Sequence, residues 1–396
     1  MTFSSIVRDV VFVAVAWVVV FFLVRHALRL TRMWTLVAAS VTAGLVLVAS
    51  VVNAVVRAYG VSRFRPLLIV GASGLGFVIY LGLGLVLTGA VSLVWWLATR
   101  KHHPSGEDGA QTVPTQGSAR LMVVRGLAIV AVVGSMVTTG YGYIEAQSPA
   151  VNAYSVSFAN LPENFDGMTI ALVTDLHVST MSRSSFLPMV VDQINAASPD
   201  LIVIAGDMQD GTVKSLGKRM SVLGNLSAPY GVVVTTGNHE FRSGVKDWMD
   251  FYSSLGLRVL DNDGIDLARG NQSIELLGIN DRYGTGAWEP DLDLAVRRTG
   301  SCDDTFCILA AHEPIQLTQN NHQASRLGID LQLSGHTHGG QIWPLGYFLQ
   351  LEQPAIDGVH VIDGVTLVTS RGVGAWKPPI RVGAPPEIPL ITLHRS

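Results

Sequence analysis

Cysteine is nearly absent. Only Cys302 and Cys307 carry a thiol in a chain of 396 residues. Two cysteines exclude both a disulfide framework and a cysteine-rich zinc site. Charge is scarce as well: Asp, Glu, Lys and Arg make up 14% of the chain, against about 25% in soluble proteins. With a mean hydropathy of +0.37, this excludes a disordered chain, a collagen-like repeat and an ordinary cytosolic enzyme. The scarcity is uneven. Residues 1–147 hold 11 Lys+Arg and 4 Asp+Glu, a net of +7, whereas residues 148–396 hold 16 and 26, a net of −10. An acidic second part argues against a nucleic-acid surface, which needs a basic patch, and no nucleic-acid partner is expected.

Long apolar runs fill the first part: Val10–Val24, Met33–Val56, Pro66–Thr99 and Gly126–Ile144. A helix crossing a bilayer needs about 20 mostly apolar residues. The first run reaches that length with Ile6 and Val7, its flanking Arg8 and Arg25 snorkelling to the interfaces. The third reads as one long, tilted helix with Trp95 and Trp96 at an interface. The expectation is an N-terminal four-helix transmembrane region over 1–147, followed by an α/β domain over 148–396. With four spans, one set of loops carries Arg25, Arg29, Arg32, Arg100, Lys101, Arg120 and Arg125; the other carries Arg8, Arg57, Arg63 and Arg65. Basic loops face the cytoplasm, so the second domain is expected outside it. The runs hold no ionisable residue, which reads as an anchor rather than a transporter or sensor. Gly71-Ala-Ser-Gly-Leu-Gly76 imitates a phosphate loop but sits inside an apolar run, where small residues serve helix packing. His102-His103 sits in a Pro/Ser/Gly loop and reads as solvated.

In the second part, Glu145–Asn160 reads as a linker and entry. Apolar runs then alternate with helical patterns: strands at Met168–Thr174, Leu201–Ala205, Gly231–Thr236, Phe306–Ala311 and Leu331–Ser334, and helices at Ser184–Ala197 and Lys214–Leu226. Further strands are expected at Val359–Ile362, Thr366–Ser370 and Leu390–His394. Alternation of this kind implies a layered α/β fold with parallel pairing. The polar residues fall at the strand ends: Asp175 and His177, Asp207, Asn238, His312, then His336 and His338. Ligands of open α/β sheets sit at the carboxyl ends of strands, so these side chains can converge. Two carboxylates, one amide and four imidazoles without a thiolate are too many for one zinc ion. They suit two borderline-hard divalent ions sharing a carboxylate, drawn from manganese, iron or zinc, with manganese preferred. Two such ions supply Lewis acidity that lowers the pKa of a bound water.

The order Asp175-x-His177, Gly206-Asp207-x-x-Asp210, Gly237-Asn238-His239-Glu240, a lone His312 and Gly335-His336-x-His338 resembles the calcineurin-like metallophosphoesterases. The resemblance covers roughly residues 150–396. Gly335-His-Thr-His-Gly-Gly-Gln341 and the tail from Arg371-Gly372 through Arg381 to Pro385-Pro386-Glu387-Ile388 are similar to a membrane-linked bacterial phosphodiesterase subgroup. The resemblance implies an α/β metallophosphoesterase domain, two mixed β-sheets sandwiched between helices. It implies one metal on Asp175, His177 and His338, another on Asn238, His312 and His336, and Asp207 bridging. His239 is then the candidate proton donor to the leaving oxygen, with Asp210 or Glu240 orienting it. Arg371 and Arg381 are candidates to grip phosphate or to form surface ion pairs. Cys302 and Cys307 either close a disulfide outside the cytoplasm or stand as free thiols.

The expected protein is a multi-pass bacterial membrane enzyme, a metal-dependent phosphoric ester hydrolase. Its expected partners are the membrane and a phosphodiester or phosphomonoester that is lipid-linked or membrane-proximal. The alternatives are an anchored nucleotide or sugar-nucleotide phosphoesterase and a non-catalytic scaffold on the same fold. A scaffold would lack ligands, and none is missing.

Overall fold

The computed structural model describes residues 65–100 and 115–396. The chain divides into two compact units, Met1–Tyr143 with Lys377–Pro379, and Ile144–Trp376 with Ile380–Ser396. The expected spans Val10–Val24 and Met33–Val56, and His102-His103, lie outside the described residues.

The described part of the first unit is built on two helices, α1 (Arg65–Arg100) and α2 (Thr115–Glu145). Within them Leu68–Thr99 and Ala119–Glu145 are long and apolar enough to cross a membrane. Of four expected spans, two therefore stand as candidates. Leu87, Val94, Ile129 and Val137 are each more than half exposed. A helix apolar all round and largely uncovered matches a lipid solvent better than water. The third apolar run is one uninterrupted helix, and Gly71–Gly76 lies inside it, which removes the phosphate-loop reading. The two helices meet at Gly84, where an added Cβ would lie 2.6 Å from the Ala131 Cβ; only glycine allows that approach. Arg120 donates across the pair to Ser92 Oγ at 2.8 and 3.2 Å.

The second unit runs β1 (Ala150–Phe158), β2 (Thr169–Val173), α3 (Phe186–Ala196), β3 (Leu201–Ala205), α4 (Val213–Met220), β4 (Val232–Thr235), α5 (Asn238–Ser243), α6 (Val245–Ser254), β5 (Arg258–Val259), β6 (Asp263–Arg269), β7 (Gln272–Gly278), α7 (Leu292–Thr299), β8 (Cys307–Ala310), α8 (Gln319–Arg326), β9 (Leu331–Ser334), α9 (Gly346–Leu349), β10 (Gly358–Ile362), β11 (Val365–Thr369) and β12 (Glu387–Arg395). They form two six-stranded sheets, ordered β1-β12-β2-β3-β4-β5 and β10-β11-β9-β8-β7-β6. Both are mixed. β2, β3 and β4 run parallel, with β12 antiparallel beside β2. β7, β8, β9 and β11 run parallel, flanked by antiparallel β6 and β10.

The strand sequences explain the layering. Successive side chains point to opposite faces, and these strands are apolar on both. Leu201, Val203 and Ala205 of β3 pack with Ile308, Ala310, Leu331 and Leu333 of the other sheet. Ile202 and Ile204 instead face Val190, Leu216 and Trp248 on α3, α4 and α6. On the far side, Leu309 and Leu367 pack with Ala295 of α7 and Ala324 of α8. The result is two sheets face to face with helices outside, the arrangement expected for strands buried on both faces.

Some expectations shift. The segment expected as a linker contains β1, which pairs with β12 over nine positions. Its exposed residues mix Val151 and Ala153 with Ser155 and Ser157, and only Val156 and Phe158 are buried, so its period is faint in sequence. The helix expected over Lys214–Leu226 stops at Met220 and continues as a 3-10 turn, Ser221–Asn225. Cys302 and Cys307 are joined in a disulfide.

Candidate metal centre

Five strands deliver the candidate ligands. The chain leaves β2 through Thr174 to Asp175 and His177, β3 through Gly206 to Asp207, and β4 through Thr236 and Gly237 to Asn238. It leaves β8 through Ala311 to His312, and β9 through Gly335 to His336 and His338. The loops after β2 and β3 stay paired past the sheet: Asp175 N–H donates to Gly206 O at 3.1 Å and His177 N–H to Asp207 O at 3.1 Å. Asp175, His177, Asp207, His336 and His338 have φ of 55°, 42°, 56°, 68° and 52°. Left-handed φ in non-glycine residues is uncommon and concentrates at functional sites. Gly237 is required by space: a Cβ there would run into the backbone N and carboxylate of Asp207.

The structure brings the expected ligands together. His177 Nε2 lies 3.0 Å from His338 Nε2 and 3.8 Å from Asp175 Oδ1, and His338 Nε2 lies 3.5 Å from Asp175 Oδ1. In a second group, His312 Nε2 lies 3.4 Å from Asp207 Oδ2 and 3.3 Å from His336 Nδ1. Asp207 Oδ2 is also 3.6 Å from His177 Nε2, so one carboxylate oxygen stands between both groups. His177 Nδ1 faces Asp210 Oδ1 at 3.1 Å and His312 Nδ1 donates to Ala205 O at 2.7 Å. Each contact commits one ring nitrogen and leaves Nε2 aimed inward, the support pattern of metal-ligating histidines.

Two features test whether this set fits cations. Asp175 Oδ1 is buried without a hydrogen-bond partner, a costly state for a carboxylate oxygen. With its amide turned so that both atoms are satisfied, Asn238 donates to Asp207 at 3.0 and 2.8 Å and accepts from Arg242 at 3.0 Å, which sets its side chain beside the shared carboxylate. Finally, burial alone would lower the proton affinity of His177, but Asp210, Asp207 and Asp175 raise its pKa to about 9. Asp207 likewise raises that of His312 well above its usual value against burial. The negative field that draws protons there also draws divalent cations. His336, lowered to about 3 by burial and His312, and His338, lowered by burial and His177, keep neutral rings at pH 7. Neutral imidazole is the ligating form. The donor set fits two cations.

Beside it stands His239. Its Nδ1 donates to Asp210 Oδ1 at 2.5 Å, and Arg242 NH1 lies 3.0 Å from its Nε2. Burial would raise the Asp210 pKa, but His177 and His239 hold it below the ordinary range. Asp210 is thus the residue that orients His239. Glu240 does not reach His239, correcting the expectation. Its buried carboxylate accepts from the N–H groups of Asp207 (2.9 Å), Met208 (3.0 Å) and Gly237 (2.8 Å), tying the loops after β3 and β4 together.

The structure commits both tail arginines to other partners, Arg381 wholly and Arg371 through one nitrogen. Arg381 is fully buried and donates to Gly374 O, Ala384 O, Arg371 O and His338 O, with NH2 3.1 Å from His338 Nδ1. It braces the His338 loop. Arg371 NH2 pairs with buried Glu387 at 2.6 Å. The cations facing the site are others, which the sequence reading missed: Arg242, and Arg282, which donates to Glu313 at 2.8 Å beside His336. Asp281 was missed too. It is wholly buried, accepts from Tyr283 N–H at 2.9 Å, and has its pKa raised to about 7 by burial against the pull of His312. Its signal was faint: β7 ends in polar residues, Asn280-Asp281, but Glu275 interrupts its apolar residues.

The family model for calcineurin-like phosphoesterases matches residues 168–340. The chain is 32% identical over 229 residues to an uncharacterized metallophosphoesterase of Helicobacter pylori, covering 57% of this chain and 60% of that protein. It is 30% identical over 270 residues to one from Bacillus subtilis, covering 65% and 91% respectively. A transmembrane protein with a metallophosphoesterase domain from Danio rerio is 30% identical over 276 residues, 68% of this chain and 63% of that one. The match to the Helicobacter relative thus spans three fifths of that protein's length.

Proposed function

The chain belongs to the calcineurin-like metallophosphoesterases, and from that premise we propose that it is a membrane-anchored phosphoesterase dependent on two divalent metal ions. Its substrates are phosphodiesters or phosphomonoesters that are lipid-linked or lie close to the membrane. The observation that carries this reading is Asp207 Oδ2, 3.6 Å from His177 Nε2 and 3.4 Å from His312 Nε2. A carboxylate oxygen shared by two groups of donors is what a two-metal site requires.

Asp175, His177 and His338 would hold one ion; Asn238, His312 and His336 the other; Asp207 would serve both. The ions, manganese by preference, would supply Lewis acidity at the phosphoryl oxygens and toward a water. His239 donates the proton that the leaving oxygen needs. Asp210 fixes its ring through Nδ1, leaving Nε2 toward the site mouth. In the structure Nε2 faces the Arg242 guanidinium at 3.0 Å. A phosphoryl oxygen competes for that guanidinium, since charge-assisted hydrogen bonds to phosphate are the stronger ones. Its departure frees Nε2 to take up a proton from solvent, while Nδ1–H stays on Asp210, and to deliver it to the leaving oxygen. The helices α1 and α2 support anchoring, and the loop charges of residues 1–125 support a catalytic unit outside the cytoplasm.

The test is metal analysis of the purified full chain together with a phosphoester panel. Chelator-sensitive hydrolysis restored by manganese is expected. Intact metal binding with no turnover of any phosphoester would favour a scaffold and overturn the reading.

A further inference from the structure

From Leu331 through Leu351 the chain carries no Asp, Glu, Lys or Arg. The first half of this stretch builds β9 and the His336–His338 loop. The second half is uncovered: Trp343, Tyr347, Phe348 and Leu351 are 56%, 62%, 69% and 84% exposed. Trp376, 47% exposed, joins it. The Gln341 side chain bonds both the N–H and the C=O of Trp376 at 3.0 Å, and the Trp376 ring lies 6.2 Å from that of His239. This apolar rim is therefore joined through Gln341 to the loop that carries His336 and His338, and its Trp376 ring stands beside His239.

We propose that Trp343–Leu351 and Trp376 insert into the headgroup–acyl boundary of the bilayer that holds the chain's own apolar helices. Inserted there, they present the metal centre to phosphoesters of that interface. The substrate part rests on the phosphoesterase reading; the docking does not. Three observations choose the bilayer as occupant. Only Ala146–Pro149 separate the end of α2 from β1, and four residues extend at most about 14 Å, so the chain tethers this unit by a short segment to whatever holds α2. The exposed set is two Trp and a Tyr with Phe and Leu, the composition of membrane-interface residues, and an exposed apolar group of this size marks an interaction site. The unit is acidic, with 16 basic and 26 acidic residues over 148–396. Its net charge does not favour attraction to anionic lipid, whereas apolar insertion needs no charge.

The test uses the manganese-loaded full chain in phosphatidylcholine/phosphatidylglycerol nanodiscs. Phe348→Cys and, separately, the exposed position Ser221→Cys are labelled with bimane; the native cysteines are disulfide-bonded. Doxyl-labelled lipid should quench the label at 348 at least about fivefold more than that at 221, and equally at low and high salt, because apolar insertion is not screened. The double variant Phe348→Asp/Leu351→Asp should lose about tenfold or more in turnover of a nanodisc-embedded phosphodiester and keep its rate on a water-soluble nitrophenyl diester. Equal quenching at both labels overturns the docking, as does crosslinking between copies through position 348 without lipid quenching. Failure of the unsubstituted chain on every phosphoester would overturn the enzymatic reading instead, and the quenching result would still decide the docking.

Discussion

His239 and Asn238 are neighbours with different tasks in the proposed mechanism, and substitution separates them. His239 donates to Asp210 and completes neither ligand group, so His239→Ala should keep its metals and lose rate. The loss should be on the order of 100-fold or more for an alkyl phosphoester and much smaller for a nitrophenyl ester, whose leaving oxygen needs little help. Asn238→Ala should lose metal and slow both substrates alike. Equal loss on both substrates by His239→Ala, metals retained, would make His239 a positioning residue. Asp281 offers a test by pH. Its folded pKa of about 7 lies above the ordinary carboxylate value, so the folded state binds the proton more tightly. That stabilisation is complete below about pH 4 and is lost as pH rises toward 7, a few kcal/mol at most. Asp281→Asn keeps the acceptor for Tyr283 N–H and should gain thermal stability relative to the parent between pH 4 and pH 8. A stability difference flat across that range would show that Asp281 ionises normally.

Among elements, the strands were the legible part. Val203 and Ile204 are apolar neighbours facing opposite layers, so β3 reads as a continuous apolar run, and its end is marked by Gly206-Asp207. The same grammar located five ligand-bearing loops. It did not reveal β1, an edge strand with one face in solvent, or the β6–β7 hairpin, whose charged outer residues break the pattern. Missing β7 meant missing Asp281 and Arg282 at its end. The roles of Glu240 and Arg381 were illegible for another reason: each ties its own loop to one distant in sequence, Glu240 to Asp207 and Met208 and Arg381 to His338. The Cys302–Cys307 link closes a loop of sequence separation 5. Chain entropy assigns so short a loop about 2 kcal/mol. Cys302→Ser/Cys307→Ala should lower the denaturation midpoint accordingly and leave kcat unchanged; a lost activity would tie that loop to the site.

For the whole molecule, the division of charge sets the topology expected: a basic anchoring part and an acidic unit outside the cytoplasm. An alkaline phosphatase reporter fused after Ser396 should be active and a cytosol-dependent fluorescent reporter dark; the reverse would mean that the expected spans are miscounted. The central claim is that seven strand-end side chains hold two cations through one shared carboxylate. Elemental analysis of the purified full chain and its Asp207→Asn variant addresses it directly. About two manganese, iron or zinc ions per chain are expected in the parent, and loss from both sites in the variant, because Asp207 serves both. No stoichiometric metal in the parent, with phosphoester hydrolysis indifferent to chelator, would contradict it.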